Sequence, residues 1–74
     1  MEKTTIQRQL ARAIRARREA LKISQEAFAD SIGMHRAYYS SIERGERNLT
    51  VETLARVANG LRVTIVTLAK DAAI

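Results

Sequence analysis

The sequence predicts an all-α fold, a compact bundle of five helices in a single domain. Three observations lead there. The 74 residues include no proline and only three glycines, Gly33, Gly45 and Gly60, so the turn clusters that separate strands are missing. Apolar residues recur at helical rather than alternating spacing, as in Ile6, Leu10 and Ile14. Ser24 and Thr50, both good N-cap residues, stand just before such segments.

Taken in order, a first helix is expected from about Thr5 to Leu21, with Ile6, Leu10, Ile14 and Leu21 on its buried face. Ser24 caps a second, Gln25 to about Ile32, which turns Ala27, Phe28 and Ile32 inward. Gly33 permits a tight turn. A third helix follows from about His35 to Arg44, with Gly45 suited to the position just beyond its end. Glu46 to Leu49 read as a polar loop. Thr50 caps a fourth helix, Val51 to about Asn59, with Leu54, Val57 and Ala58 inward and Gly60 ending it. The segment from Thr64 to about Ala73 opens on residues of strand propensity. A lone strand has no partner in such a chain, so a fifth helix is expected.

Composition narrows the function. There is no cysteine, which excludes disulfides and thiolate metal sites, and a single histidine, His35, excludes a multi-histidine site. No apolar run approaches the ~20 residues of a membrane span, and a soluble, cytoplasmic protein is expected. No nucleophile–base pair and no phosphate-binding glycine loop is present, so neither catalysis nor a cofactor is expected. Thirteen Lys/Arg against eight Asp/Glu leave a formal charge of +5, and the excess is uneven. Lys3, Arg8, Arg12, Arg15, Arg17, Arg18 and Lys22 crowd the first third, opposed only by Glu2 and Glu19. Such a patch suits a polyanionic partner, although a charged helix face is also a common solvated surface.

The second and third helices, both short and joined by a turn at Gly33, make a helix-turn-helix over about residues 24–44, the arrangement whose second helix enters the DNA major groove. On the third helix Tyr39 and Ile42, with His35 near them, face inward. Ala37, Ser40, Ser41 and Arg44 face outward, flanked by Arg36 and Tyr38. Small outward residues let a backbone come close to a groove about 12 Å wide. Arg36 has the geometry to bind guanine O6 and N7 in bidentate fashion, Ala37 to touch a thymine methyl, and Ser41 and His35 to hydrogen-bond base edges or phosphates. Gln25 is placed to anchor a phosphate or base at the start of the second helix. Arg47 and Asn48 in the following loop are candidates for the backbone, or Arg47 for a narrow minor groove. Arg17 and Arg18, on or beside the apolar stripe of the first helix, need an acidic partner. Glu43 stands at the matching edge of the third, and an Arg18–Glu43 pair is expected.

The run Ile23-Ser24-Gln25-Glu26-Ala27-Phe28-Ala29, followed by Gly33 to Gly45, then Glu46-Arg47-Asn48-Leu49-Thr50 and Leu54-Ala55-Arg56-Val57-Ala58, resembles the Cro/C1-type (XRE) helix-turn-helix family. Within it, His35-Arg36-Ala37-Tyr38 and Glu43 to Asn48 are most similar to the controller proteins of restriction–modification systems. The resemblance covers about residues 6–70 of a single domain expected over residues 1–74. It implies a lambda-repressor-like fold, a symmetric homodimer on a partly palindromic operator, and transcription regulation from promoter-adjacent sites, with RNA polymerase as a further candidate partner. It implies base readout at Arg36, Ala37 and Ser41, DNA contacts from Tyr38 and Gln25, and a buried Arg18–Glu43 pair. Two positions depart from the family's pattern: Arg17, where leucine is common, and Ala37, where a hydroxyl or amide is common.

The C-terminal segment, about 61–74, carries Ile65, Val66, Leu68, Ala69, Ala72, Ala73 and Ile74 on more than one helix face. The excess apolar surface suits a second subunit, which would set two recognition helices about 34 Å apart, one DNA turn. An antitoxin-like or phage-type repressor and a protein-interaction module on the same fold are the rival readings. A membrane-surface role for the basic first helix is disfavoured by its lack of Trp and Phe.

Overall fold

A computed structural model describes residues 4–74. The charges of Glu2 and Lys3 lie outside the described residues. Five helices follow in order: α1 (Thr4–Ala20), α2 (Gln25–Ser31), α3 (Arg36–Glu43), α4 (Val51–Leu61) and α5 (Ile65–Asp71). No strand occurs among the described residues. α2 and α3 form the helix-turn-helix, and α1, α4 and α5 pack around and behind it.

Local chemistry sets where the helices start. The hydroxyls of Ser24, Thr50 and Thr64 accept from the backbone N–H groups of Ala27, Thr53 and Thr67 at 3.0–3.1 Å. Each such cap is worth ~1 kcal/mol. At α3 the cap is His35, outside the helix, whose Nδ1 accepts from the Ala37 N–H at 3.3 Å. The expectation that His35 packs inward is overturned, because the capping imidazole lies at the exposed end of the helix.

The helix ends were less legible. Each helix is followed by a residue at positive φ: Lys22, Gly33, Gly45, Arg62 and Ala73. There the chain turns back to bond the carbonyls of the last turn. Only two of the five are glycine. Gly60 does not end α4, which continues through it to Leu61 and stops at Arg62 (φ 64°). A Cβ at Gly60 would collide with Ile32 Cγ2 and lie 3.0 Å from the Phe28 ring. This glycine is the place where α2 presses against α4.

The core is built on Ile14, Phe28, Tyr39, Ile42, Val57 and Leu68, each at most 2% exposed. The Phe28 and Tyr39 rings meet at 5.1 Å between centroids with a 54° tilt, joining the two helices of the motif. Three expectations about inward faces are corrected. On α1, Ile14 is buried and Leu10 half-buried, but Ile6 and Leu21 are 53% and 41% exposed. A 17-residue helix is about 25 Å long and overhangs the shorter helices it packs on. On α2, Ala27 is exposed, and Ala29 takes the buried position beside Phe28. On α5, Leu68 and Ala72 fill the chain's own core at 0% and 5% exposure, so they are not available to a second subunit. Ile65 packs partly on the same core. Val66 (63% exposed), Ala73 and Ile74 (55%) remain outside, with Ala69 half-buried.

Candidate nucleic-acid interface

α3 is anchored from behind by a buried polar network. Arg18 of α1 donates to both carboxylate oxygens of Glu43, at 2.7 and 3.1 Å, and its third nitrogen donates to the Ile23 carbonyl at 2.7 Å. Gln25 of α2 donates to Glu43 Oε1 at 2.9 Å, and the Tyr39 hydroxyl donates to Glu43 Oε2. The two side chains of the ion pair are 10% and 2% exposed. Burial alone pushes the Glu43 carboxyl up, but the hydrogen bonds from Arg18, Tyr39 and Gln25 outweigh it and hold the group below its ordinary value. Burial and the Glu43 carboxylate together push the Tyr39 hydroxyl well up, so it remains a donor. A bidentate arginine–carboxylate pair is directional. Here it fixes the C-terminal end of α3 against both α1 and α2.

The outer face of α3 is open. His35, Arg36, Ala37, Ser40 and Arg44 line a shallow groove along it. Arg36 and Ala37 are exposed in the first turn, and no ion pair among the described residues holds Arg36. Arg44 is exposed but engaged: it pairs with Glu46 at 3.0 and 3.1 Å and donates to the Ser40 hydroxyl at 2.8 Å. That pair raises Arg44 and lowers Glu46 from their ordinary values.

Ser41 departs from its expected outward placement. It is 4% exposed, its hydroxyl donates to the Tyr38 carbonyl at 2.6 Å, and it accepts from Arg47 Nε at 2.8 Å. The reason is the motif's own geometry: the chain reverses at Gly45 (φ 75°), and the returning loop lays Arg47 across the side of α3. The Arg47 guanidinium also lies over the half-buried Tyr38 ring, 4.8 Å from its centroid. Asn48 is exposed and accepts from Gln7 of α1. Gln25, half-buried and spent on Glu43, belongs to the network behind α3 rather than to a free helix end.

Sequence reasoning missed three supporting residues. Arg56 of α4 donates to the Ile32 and Gly33 carbonyls at 3.0 and 2.6 Å, tying down the turn between α2 and α3. Asp71 of α5 pairs with Arg17 at 2.6 Å, supplying the acidic partner that an arginine at that point of α1 was expected to need but that the sequence did not identify. Glu46 screens Arg44. All three depend on partners far along the chain or beyond a turn, and no local pattern signals them. Among the described residues, no three His, Cys, Asp or Glu side chains come together to hold a metal ion. No helix there is long and apolar enough to cross a membrane.

Comparison with known proteins agrees with this architecture. The helix-turn-helix family HTH_3 matches residues 14–68. The control protein C.MunI of Mycoplasma sp is 44% identical over 55 residues, 74% of each chain. Among solved structures, the clp gene regulator ClgR from C. glutamicum superposes with a TM-score of 0.88 at 25% identity, covering 92% of this chain and 87% of that one. The restriction-modification controller protein C.Esp1396I superposes at 0.83 with 29% identity and the same coverage.

Proposed function

The chain belongs to the helix-turn-helix family of DNA-binding transcription regulators, and from that premise we propose that it is a controller protein of a restriction–modification system, acting as a homodimer on a partly palindromic operator. The observation that carries the base-reading part is the outer face of α3. Arg36 stands exposed and unpaired among the described residues, Ala37 beside it is small, and the helix is fixed from behind by Glu43. Arg36 reads guanine through O6 and N7, and Ala37 lies against a thymine methyl. His35, Tyr38, Arg44, Arg47 and Asn48 contact the DNA backbone or groove edges around that centre. Gln25 and Ser41 act behind the surface, on Glu43 and Arg47. The likeness to C.MunI and C.Esp1396I supports the restriction–modification setting.

Selection from random-sequence DNA at near-physiological salt tests the proposal. The expected result is a motif with dyad symmetry and half-sites about one helical turn apart. Arg36→Ala is expected to relax one position per half-site, at ~1–3 kcal/mol of discrimination. The same motif from wild type and variant would remove Arg36 from base readout, and an asymmetric motif would remove the dimer.

A further inference from the structure

We propose that Arg8 and Arg12 of α1 form a second phosphate-binding surface beside the recognition helix, so that duplex DNA is gripped from α1 as well as from α3. The proposal rests on the DNA-binding reading above and extends its footprint.

A groove between α1 and the C-terminal end of α3 is lined by Arg8, Ala11, Arg12, Glu43 and Arg44. Arg44 also lines the groove along the outer face of α3, so the two adjoin at that residue. The charges of this surface divide cleanly. Glu43 is 2% exposed in its side chain and consumed by Arg18, Tyr39 and Gln25. Arg44 is neutralised by Glu46, and Arg15, one turn further along α1, by Glu19 at 3.1 Å. Arg8 and Arg12 are exposed, and neither joins an ion pair among the described residues. They therefore supply the uncompensated positive charge of the groove, and Ala11 between them leaves it open.

Their position relative to α3 is fixed. A Cβ at Gly45 would lie 3.3 Å from Arg8 Cα and 3.2 Å from its Cγ, so the turn ending α3 rests directly on α1. α3 has eight residues and is about 12 Å long, close to the width of the major groove. With Arg36 at base edges at one end, the α1 arginines at the other end reach the phosphates bordering the groove. Phosphate contacts carry affinity and salt dependence without sequence preference.

The test is equilibrium binding against salt, with a duplex recovered by the selection above and an unrelated mixed-sequence duplex of about 30 base pairs. Arg8→Gln/Arg12→Gln keeps the Arg8 Cα and Cγ that lie against Gly45 and removes two charges. The slope of log K against log salt is expected to shrink by about 1.8, from about 0.9 per phosphate contact, equally on both duplexes. Their affinity ratio should stay constant. Arg62→Gln, which removes an exposed charge at the end of α4 that lines neither groove, should leave the slope unchanged. A double variant with the wild-type slope, or with the selected duplex alone weakened, overturns the proposal. A wild-type protein that binds neither duplex in a salt-dependent manner overturns the DNA-binding reading first, and the α1 surface with it.

Discussion

The hydroxyl of Ser41 lies between two groups of its own chain, giving its proton to the Tyr38 carbonyl and accepting from Arg47. In the proposed DNA-binding reading Ser41 acts through Arg47, to which it is hydrogen-bonded beside the Tyr38 ring. Ser41→Ala frees the arginine without removing it, and loss of one such hydrogen bond is worth ~1 kcal/mol. DNA affinity is expected to fall about fivefold in the wild-type background and not at all in an Arg47→Ala background, with the selected motif unchanged. A double-mutant cycle measured by fluorescence anisotropy checks this. Additive effects of the two substitutions would mean that Ser41 acts independently of Arg47. The outward direction of Ala37, with Arg36 at the margin of that face, was legible from helical spacing alone. Ser41 was not, because a residue at the margin of a helix is covered or left open by whatever loop returns beside it.

At the scale of elements, Arg18 and Glu43 tie α1 to α3. Glu43→Gln leaves the Arg18 guanidinium buried without a counter-charge, which costs about 3–5 kcal/mol in comparable cases. That is a large part of the stability of a domain this small. The same pair sets an acid limit. Because the folded carboxyl titrates below its ordinary value, its contribution is fully present above the unfolded value of about pH 4. It is lost as pH falls from there through the folded value. Thermal unfolding followed by circular dichroism between about pH 2.5 and 7 should show the wild-type Tm dropping steeply below about pH 4. Glu43→Gln should start lower and depend less on pH. Equal pH dependence in the two proteins would mean that Glu43 contributes no linkage. The need of Arg18 for an acid was readable from its place beside an apolar stripe. The convergence of Tyr39 and Gln25 on the same carboxylate follows only from the crossing of three helices.

The whole molecule measures 33 × 23 × 21 Å over the described residues and presents one recognition helix. The two half-sites proposed above, about 34 Å apart, call for two copies of the chain. Val66 and Ile74 are the large apolar side chains left exposed at the end of the fold. Val66→Gln, repeated on both sides of a two-fold interface, is expected to weaken self-association by at least about tenfold. Sedimentation equilibrium measures this. Affinity for a full dyad site should fall with it, while affinity for an isolated half-site holds. A variant that sediments like the wild type moves the interface elsewhere on the surface. The C-terminal segment was visible in the sequence as more apolar than one helix face requires. Its division into Leu68 and Ala72 inside and Val66 and Ile74 outside depends on the angle at which α5 meets α1 and α4.

Sequence by itself determined the first four helices, the caps at Ser24 and Thr50, the inward Tyr39 and Ile42, and the outward Ala37, because each is set by residues within a turn or two along the chain. The fifth helix followed from the lack of any partner for a strand. Tertiary structure alone decided that Gly60 is a contact point rather than a stop. It also decided that Lys22, Arg62 and Ala73 turn the chain without glycine, and that Ser41, Gln25 and Leu68 are spent inside the molecule. A left-handed turn at a non-glycine residue persists only where the surrounding fold compensates its strain. Whether a polar group remains free depends on groups brought to it from tens of residues away, as Arg18 and Gln25 are brought to Glu43. Those are properties of how the helices cross, which no single stretch of the chain contains.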